Sequence, residues 1–161
     1  WNELAVNPCI NGRYVFAYFL SSKKSYEEIA KKVAQKYNCE LVLIPTQKEH
    51  YKFDGTIIQN AGPCEWLGLV DSFHGSIFSL IFKKDFYVTK RFDDTSVKSQ
   101  NSRIYTLLET YGCEDCIVSE IQDIDKRHDF NWEALHRRMK INASASREWL
   151  NTCLKGVSDE A

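Results

Sequence analysis

A parallel β-sheet wound by helices on both faces is the fold class that this 161-residue sequence predicts. Two observations predict it. Short aromatic and β-branched runs with no polar alternation read as strands covered on both faces. Between them lie segments whose apolar residues recur at helical spacing.

The elements follow in order. "RYVFAYFL" (13–20) is the first strand, and "SSKK" turns the chain. Ser25 with Glu28 three residues on forms a capping box, and Tyr26, Ile29, Ala30, Val33 and Tyr37 make the inner face of a helix ending near Asn38. "CELVLIP" (39–45) is a second strand stopped by Pro45, and a polar stretch leads on to "GPCEWLGLV". Pro63 after Gly62 suits the first turn of a short helix over 63–70, where its missing N–H costs nothing. A second helix over about 74–83 abuts it. "DFYVTKR" (85–91) is a strand, "SRIYTLLETYG" a helix closed by Gly112 with Ile104, Leu107, Leu108 and Tyr111 inward, and "CIVSEI" a further strand. "NWEALHRRM" and "SASREWLNTCLKG" read as two amphipathic helices, the second stopped by Gly156. The alternation is that of a Rossmann-like sheet in one domain spanning 1–161.

Composition narrows the partners. Lys plus Arg number 21 against 22 for Asp plus Glu, a net charge of -1. No broad field draws the chain to nucleic acid or to an anionic membrane, so anion recognition has to be local. No apolar run nears the ~20 residues that span a bilayer. Six scattered cysteines suggest reduced thiols in a reducing compartment, here the cytoplasm. "CEDC" (113–116) lacks a second ligand pair, so it reads as a turn between helix and strand, and no metal is expected. The first residue is Trp, which suggests a chain that is part of a longer one.

"DSFHGSIFSLIFKK" (71–84) holds the candidate site. A helix starting at His74 or Gly75, capped by Asp71 or Ser72, offers unpaired amide hydrogens and the positive end of its dipole to a phosphate or carboxylate. Gly75 would let a ligand approach the backbone, and His74 would hydrogen-bond the anion or exchange a proton with it. A hydrogen-bonded structural histidine is the plainer alternative. His50 in a polar loop, His128 in a charged turn and His136 beside two arginines read as solvated.

"GPCEWLGLV", then "DSFHGSIFSLIFKKDFYV", an Arg and "NSRIYTLLETYG" resemble the C-terminal half of the polysaccharide pyruvyl transferase family, from Trp1 to about Leu154. The resemblance implies half of a GT-B-like enzyme, with an N-terminal half of the same enzyme as its partner. It also implies transfer of the pyruvyl group of phosphoenolpyruvate to a sugar hydroxyl of a glycan, forming a ketal, with phosphoenolpyruvate as donor substrate and no cofactor. On the same basis His74 is the acid/base residue or principal donor ligand, and Ser72 and Phe73 complete its short motif. Many members carry Arg where Ser72 stands, so Arg91 and Arg103 are the candidates for donor-binding charge. Glu65 is placed to orient a hydroxyl, or else to favour a helix N-terminus.

Members of the family have a strand between the Gly-Pro helix and Ser-Phe-His-Gly, whereas here Val70 runs into Asp71. The expectation is that residues are missing at that junction, because loss of a central strand leaves ladder groups unpaired. The Val70–Asp71 link would then be far longer than the ~1.33 Å of a peptide bond. Two other functions stay open: a GT-B-like glycosyltransferase domain that binds a nucleotide sugar, and a non-catalytic α/β module.

Overall fold

A computed structural model describes residues 10–59, 68–96, 99–126 and 129–158. Two compact units divide the chain, residues 1–128 and 129–161.

The first unit holds six parallel strands in the order β3-β2-β1-β4-β5-β6. They are β1 (Tyr14–Tyr18), β2 (Glu40–Ile44), β3 (Thr56–Ile57), β4 (Gly68–Val70), β5 (Phe86–Thr89) and β6 (Ile117–Val118). The Rossmann-like fold read from the sequence is therefore the fold observed, with helices α1 (Lys24–Tyr37), α2 (Phe73–Ile81) and α3 (Asn101–Tyr111) connecting the strands.

Strand side chains alternate between faces. Val15, Ala17, Leu41, Leu43, Leu69 and Tyr87 pack with Tyr26, Ile29, Ala30 and Val33 of α1 in one buried cluster. The intervening Phe16, Val42, Val70 and Val88 are equally buried and face the side of α2 and α3, where Gly75 meets Val70 and Ile104 lies near Val88. Burial on both faces is why these runs lack polar alternation.

The central position between β1 and β5 is filled by Gly68–Val70. That corrects the helix expected over 63–70: residues 68–70 are extended, and 63–67 lie outside the described residues. The strand thought to be missing at Val70–Asp71 is thus these three residues, and the Asp71 N–H continues the pairing with the Tyr18 carbonyl at 3.3 Å. Three residues are too few to show a period of their own, so Pro63 dominated the reading. Gly68 has φ +133°, and a Cβ there would lie 2.8 Å from the Phe16 carbonyl oxygen, so glycine is what lets β4 approach β1.

Other corrections are local. α1 begins at Lys24 after Lys23, with no side-chain cap, so Ser25 and Glu28 form no capping box. Its end is as expected, at a left-handed Asn38 with φ 49°. The strand read in "CIVSEI" is confined to Ile117–Val118, flanked by 3-10 turns at Glu114–Cys116 and Ile121–Asp125.

In the second unit one helix, α4 (Trp132–Ser158), replaces the two expected. No Pro or Gly interrupts 139–146, and the single Gly156 costs only about 1 kcal/mol, too little to end a helix whose ladder continues. No helix among the described residues is long and apolar enough to cross a membrane.

Candidate functional site

Strand order reverses between β1 and β4, whose connections leave in opposite directions. In open parallel sheets the crevice beyond the C-terminal ends of such a pair is where ligands bind. Asp71, directly after β4, spans it. Its carboxylate accepts from the Leu20 and Ser21 amides at 2.6 and 3.1 Å and from the Ser21 hydroxyl at 2.8 Å. Burial pushes the Asp71 carboxyl above its ordinary range, opposed by these bonds and by the charge of Arg91.

The loop after β1 is held from the other side as well. The side chains of Thr46 and Gln47 donate to the carbonyls of Phe19 and Leu20. His50 is only 4% exposed, which overturns its reading as solvated. The Thr46 amide donates to its Nδ1 at 3.2 Å, so the proton sits on Nε2 and is donated to the Ser21 carbonyl at 3.1 Å. Residues 19–21 are thereby fixed by partners on both flanks, as a binding floor requires.

α2 opens at this crevice. Ser72 is its N-cap, accepting from the Gly75 amide at 3.4 Å, and its carbonyl accepts from the Ser76 amide at 3.0 Å and hydroxyl at 3.1 Å. Ser72 is buried, so capping is its visible role. Gly75 is buried too: a Cβ there would lie 2.9 Å from Val70 Cγ1, so the glycine serves helix-on-strand packing. His74 stands exposed in the first turn, its ring edge-on to Phe73 at 5.8 Å and 84°. The Arg103 guanidinium, in the first turn of α3, lies 5.6 Å from the centroid of the same Phe73 ring and bonds the Gln100 side chain.

Phe73 thus gathers an imidazole and a guanidinium at the N-terminal ends of two helices. Both dipole ends add partial positive charge to that of Arg103, and the α3 N-cap, Gln100, makes no side-chain cap bond. Groups of this kind have the chemistry to pair with anionic oxygens, and an imidazole the chemistry to exchange a proton.

Arg91 contacts a different aromatic ring. It follows β5, stacks over Phe92 at 5.1 Å and acts electrostatically on Asp71 and Tyr26. Glu65 and His128 lie outside the described residues. His136 is half-buried in α4, edge-on to Trp132 at 6.4 Å. The "CEDC" stretch is a 3-10 turn, as expected, in which a hydrogen bond with Cys113, reinforced by burial, pushes the Cys116 thiol up, the reverse of a reactive thiol. Among the described residues no cluster of three or more His, Cys, Asp or Glu side chains gathers to hold a metal.

Sequence reasoning missed Asn101. It is buried and donates to the Phe92 carbonyl at 2.7 Å and to Asp94 at 2.9 Å, pinning the loop after β5 to α3. Its only signal was an Asn at a helix start, which capping also explains.

Comparison with known proteins finds no matching family model, no matching curated protein and no matching solved structure.

Proposed function

We propose that this chain is the donor-binding half of a polysaccharide pyruvyl transferase, acting in the cytoplasm with an N-terminal half of the same enzyme. The observation that carries the reading is the contact of one ring, Phe73, with both the His74 imidazole and the Arg103 guanidinium at two helix N-termini. Phosphoenolpyruvate carries a phosphate and a carboxylate, and this cluster offers two positive ends and a fork that pairs such groups. The sequence resemblance through "DSFHGSIFSLIFKKDFYV" supplies the reaction class. Among the described residues Cys39 and Cys153 form no disulfide, which supports a reducing compartment.

In this reading the pyruvyl transfer balances as follows. One acceptor hydroxyl oxygen bonds to C2 of the enolpyruvyl group while C3 gains a proton and becomes a methyl. The bond between C2 and the bridging oxygen breaks, and that oxygen leaves with the phosphate. A second acceptor hydroxyl then bonds to C2 and closes the ketal, its proton leaving with the phosphate. His74 relays these protons, Arg103 and the helix ends hold the departing phosphate, and Arg91 faces the carboxylate from the end of β5.

A thermal-shift titration tests the reading. Phosphoenolpyruvate at about 100 times its dissociation constant stabilises the folded chain by about 2.7 kcal/mol, a rise in midpoint that His74→Ala abolishes. A rise caused by a nucleotide sugar and not by phosphoenolpyruvate assigns the site to glycosyl transfer instead. No rise with either assigns the chain to a non-catalytic module.

A further inference from the structure

The helix of the second unit, α4, carries an apolar stripe that is exposed over its later turns. Leu135, Met139, Ser146 and Leu150 follow one another at helical spacing, and Trp149 and Leu154 widen the line they make. Leu135 is 6% exposed and Met139 half-buried, whereas Trp149, Leu150 and Leu154 are 69, 50 and 60% exposed. Ser146 donates to the Asn142 carbonyl at 2.8 Å, so it brings no unpaired hydroxyl into the stripe. Three large apolar side chains thus stand in water within two turns of one helix face, and such a patch marks a docking surface.

The charges beside the stripe say what covers it. Over Trp132–Ser158 the helix carries five Lys or Arg against two Glu, on a chain whose net charge is -1. Lys140 and Arg147, both exposed, lie on one line that continues to Leu154, so they border the apolar side chains. The carboxylates stand elsewhere. Glu133 is in the first turn, paired with Arg137 at 3.1 Å, and Glu148 points about a quarter-turn away from Trp149 on the side remote from Leu150. A second copy of α4 would set Lys140 and Arg147 against like charge or against no charge, since no carboxylate borders the exposed stretch. An anionic bilayer answers both parts of the face. Its acyl boundary takes Trp and Leu side chains, Trp favours headgroup depth, and lipid phosphates and carboxylates meet the cations. We propose that α4 lies flat on an anionic lipid surface, with Trp149, Leu150 and Leu154 at the acyl boundary and Lys140 and Arg147 among the headgroups. The inference uses no residue of the Phe73 cluster and stands whether or not phosphoenolpyruvate binds there.

Vesicle flotation of the full chain tests it, with phosphatidylcholine vesicles containing about one-third phosphatidylserine set against phosphatidylcholine alone. The chain binds the anionic vesicles about tenfold or more tightly than the neutral ones, and added salt narrows the difference. Trp149→Ala and Leu154→Ser each weaken that binding about tenfold or more through lost apolar burial. Arg147→Gln weakens binding to the anionic vesicles about fivefold and leaves binding to the neutral ones unchanged. All three side chains are exposed, so the variants keep the melting midpoint of the parent chain. Ile141→Ala, at a position 62% exposed but about half a turn out of phase with Leu150, leaves binding unchanged. The inference is overturned if the anionic vesicles bind no chain, if neutral vesicles bind it equally, or if the Trp149 and Leu154 variants float as the parent does. It is overturned too if sedimentation shows a dimer that Leu154→Ser dissociates and that vesicles do not disturb.

Discussion

Asp71 and His50 show how single side chains organise the crevice without belonging to the chemistry. Each satisfies backbone groups of residues 19–21 that would otherwise lack partners. Asp71→Ala leaves the Leu20 and Ser21 amides unpaired and is expected to cost about 2–3 kcal/mol, read as a lower urea midpoint. A different carboxylate gives a pH-dependent prediction. Asp123 accepts from the Ser119 and Glu120 amides at 2.9 and 3.0 Å and from Lys126 at 2.7 Å. Lys126 above all, with the two amides, lowers its pKa from an ordinary 3.8 to about 2. A carboxyl depressed in the folded state stabilises above its unfolded value and loses that stabilisation as pH falls through the folded one. Asp123→Asn should therefore remove a contribution on the order of 1 kcal/mol at neutral pH, discounted for exposure, and flatten the stability profile between pH 3.8 and about 2. Denaturant melts at several acidic pH values would show whether that slope exists.

Elements differ in how legible they were. β1, β2 and β5 and the inner face of α1 were readable because runs of buried apolar residues and helical spacing repeat over enough positions to declare a period. β4 was not, since Gly68–Val70 is defined by its neighbours Phe16–Tyr18 and Phe86–Val88 and not by a pattern of its own. The start of α1 was misplaced because Ser25 and Glu28 satisfy the capping-box spacing, while the cap position itself went to Lys23. His74 was legible at a helix start, although the helix begins one residue earlier, at Phe73, whereas the meeting of Arg103 with Phe73 depends on how α3 lies beside α2, which no local pattern encodes. Gly68→Ala tests the account of β4. A Cβ 2.8 Å from the Phe16 carbonyl oxygen and 2.9 Å from its amide nitrogen has no room in the centre of a sheet, and the backbone has φ +133°. A loss of about 3 kcal/mol or more is expected, seen as a fall in melting midpoint. An unchanged midpoint would mean that β4 does not pack against β1 at this distance.

For the molecule as a whole, the sheet order places two crevice-facing helix N-termini and an arginine on a chain whose net charge is only -1. In the proposed reading, attraction for an anion is confined to the site, because a net charge of -1 gives the surface no broad positive field. Binding of phosphoenolpyruvate should weaken on neutralising Arg103 far more than on neutralising a lysine of α4 such as Lys140. Calorimetric titration of phosphoenolpyruvate into the parent chain, Arg103→Ala and His74→Ala tests the central claim most directly. The account predicts saturable binding in the parent chain that each substitution weakens by about tenfold or more, the loss of one charge-assisted hydrogen bond or greater. Equal affinity in all three proteins, or no heat of binding in any, would contradict it.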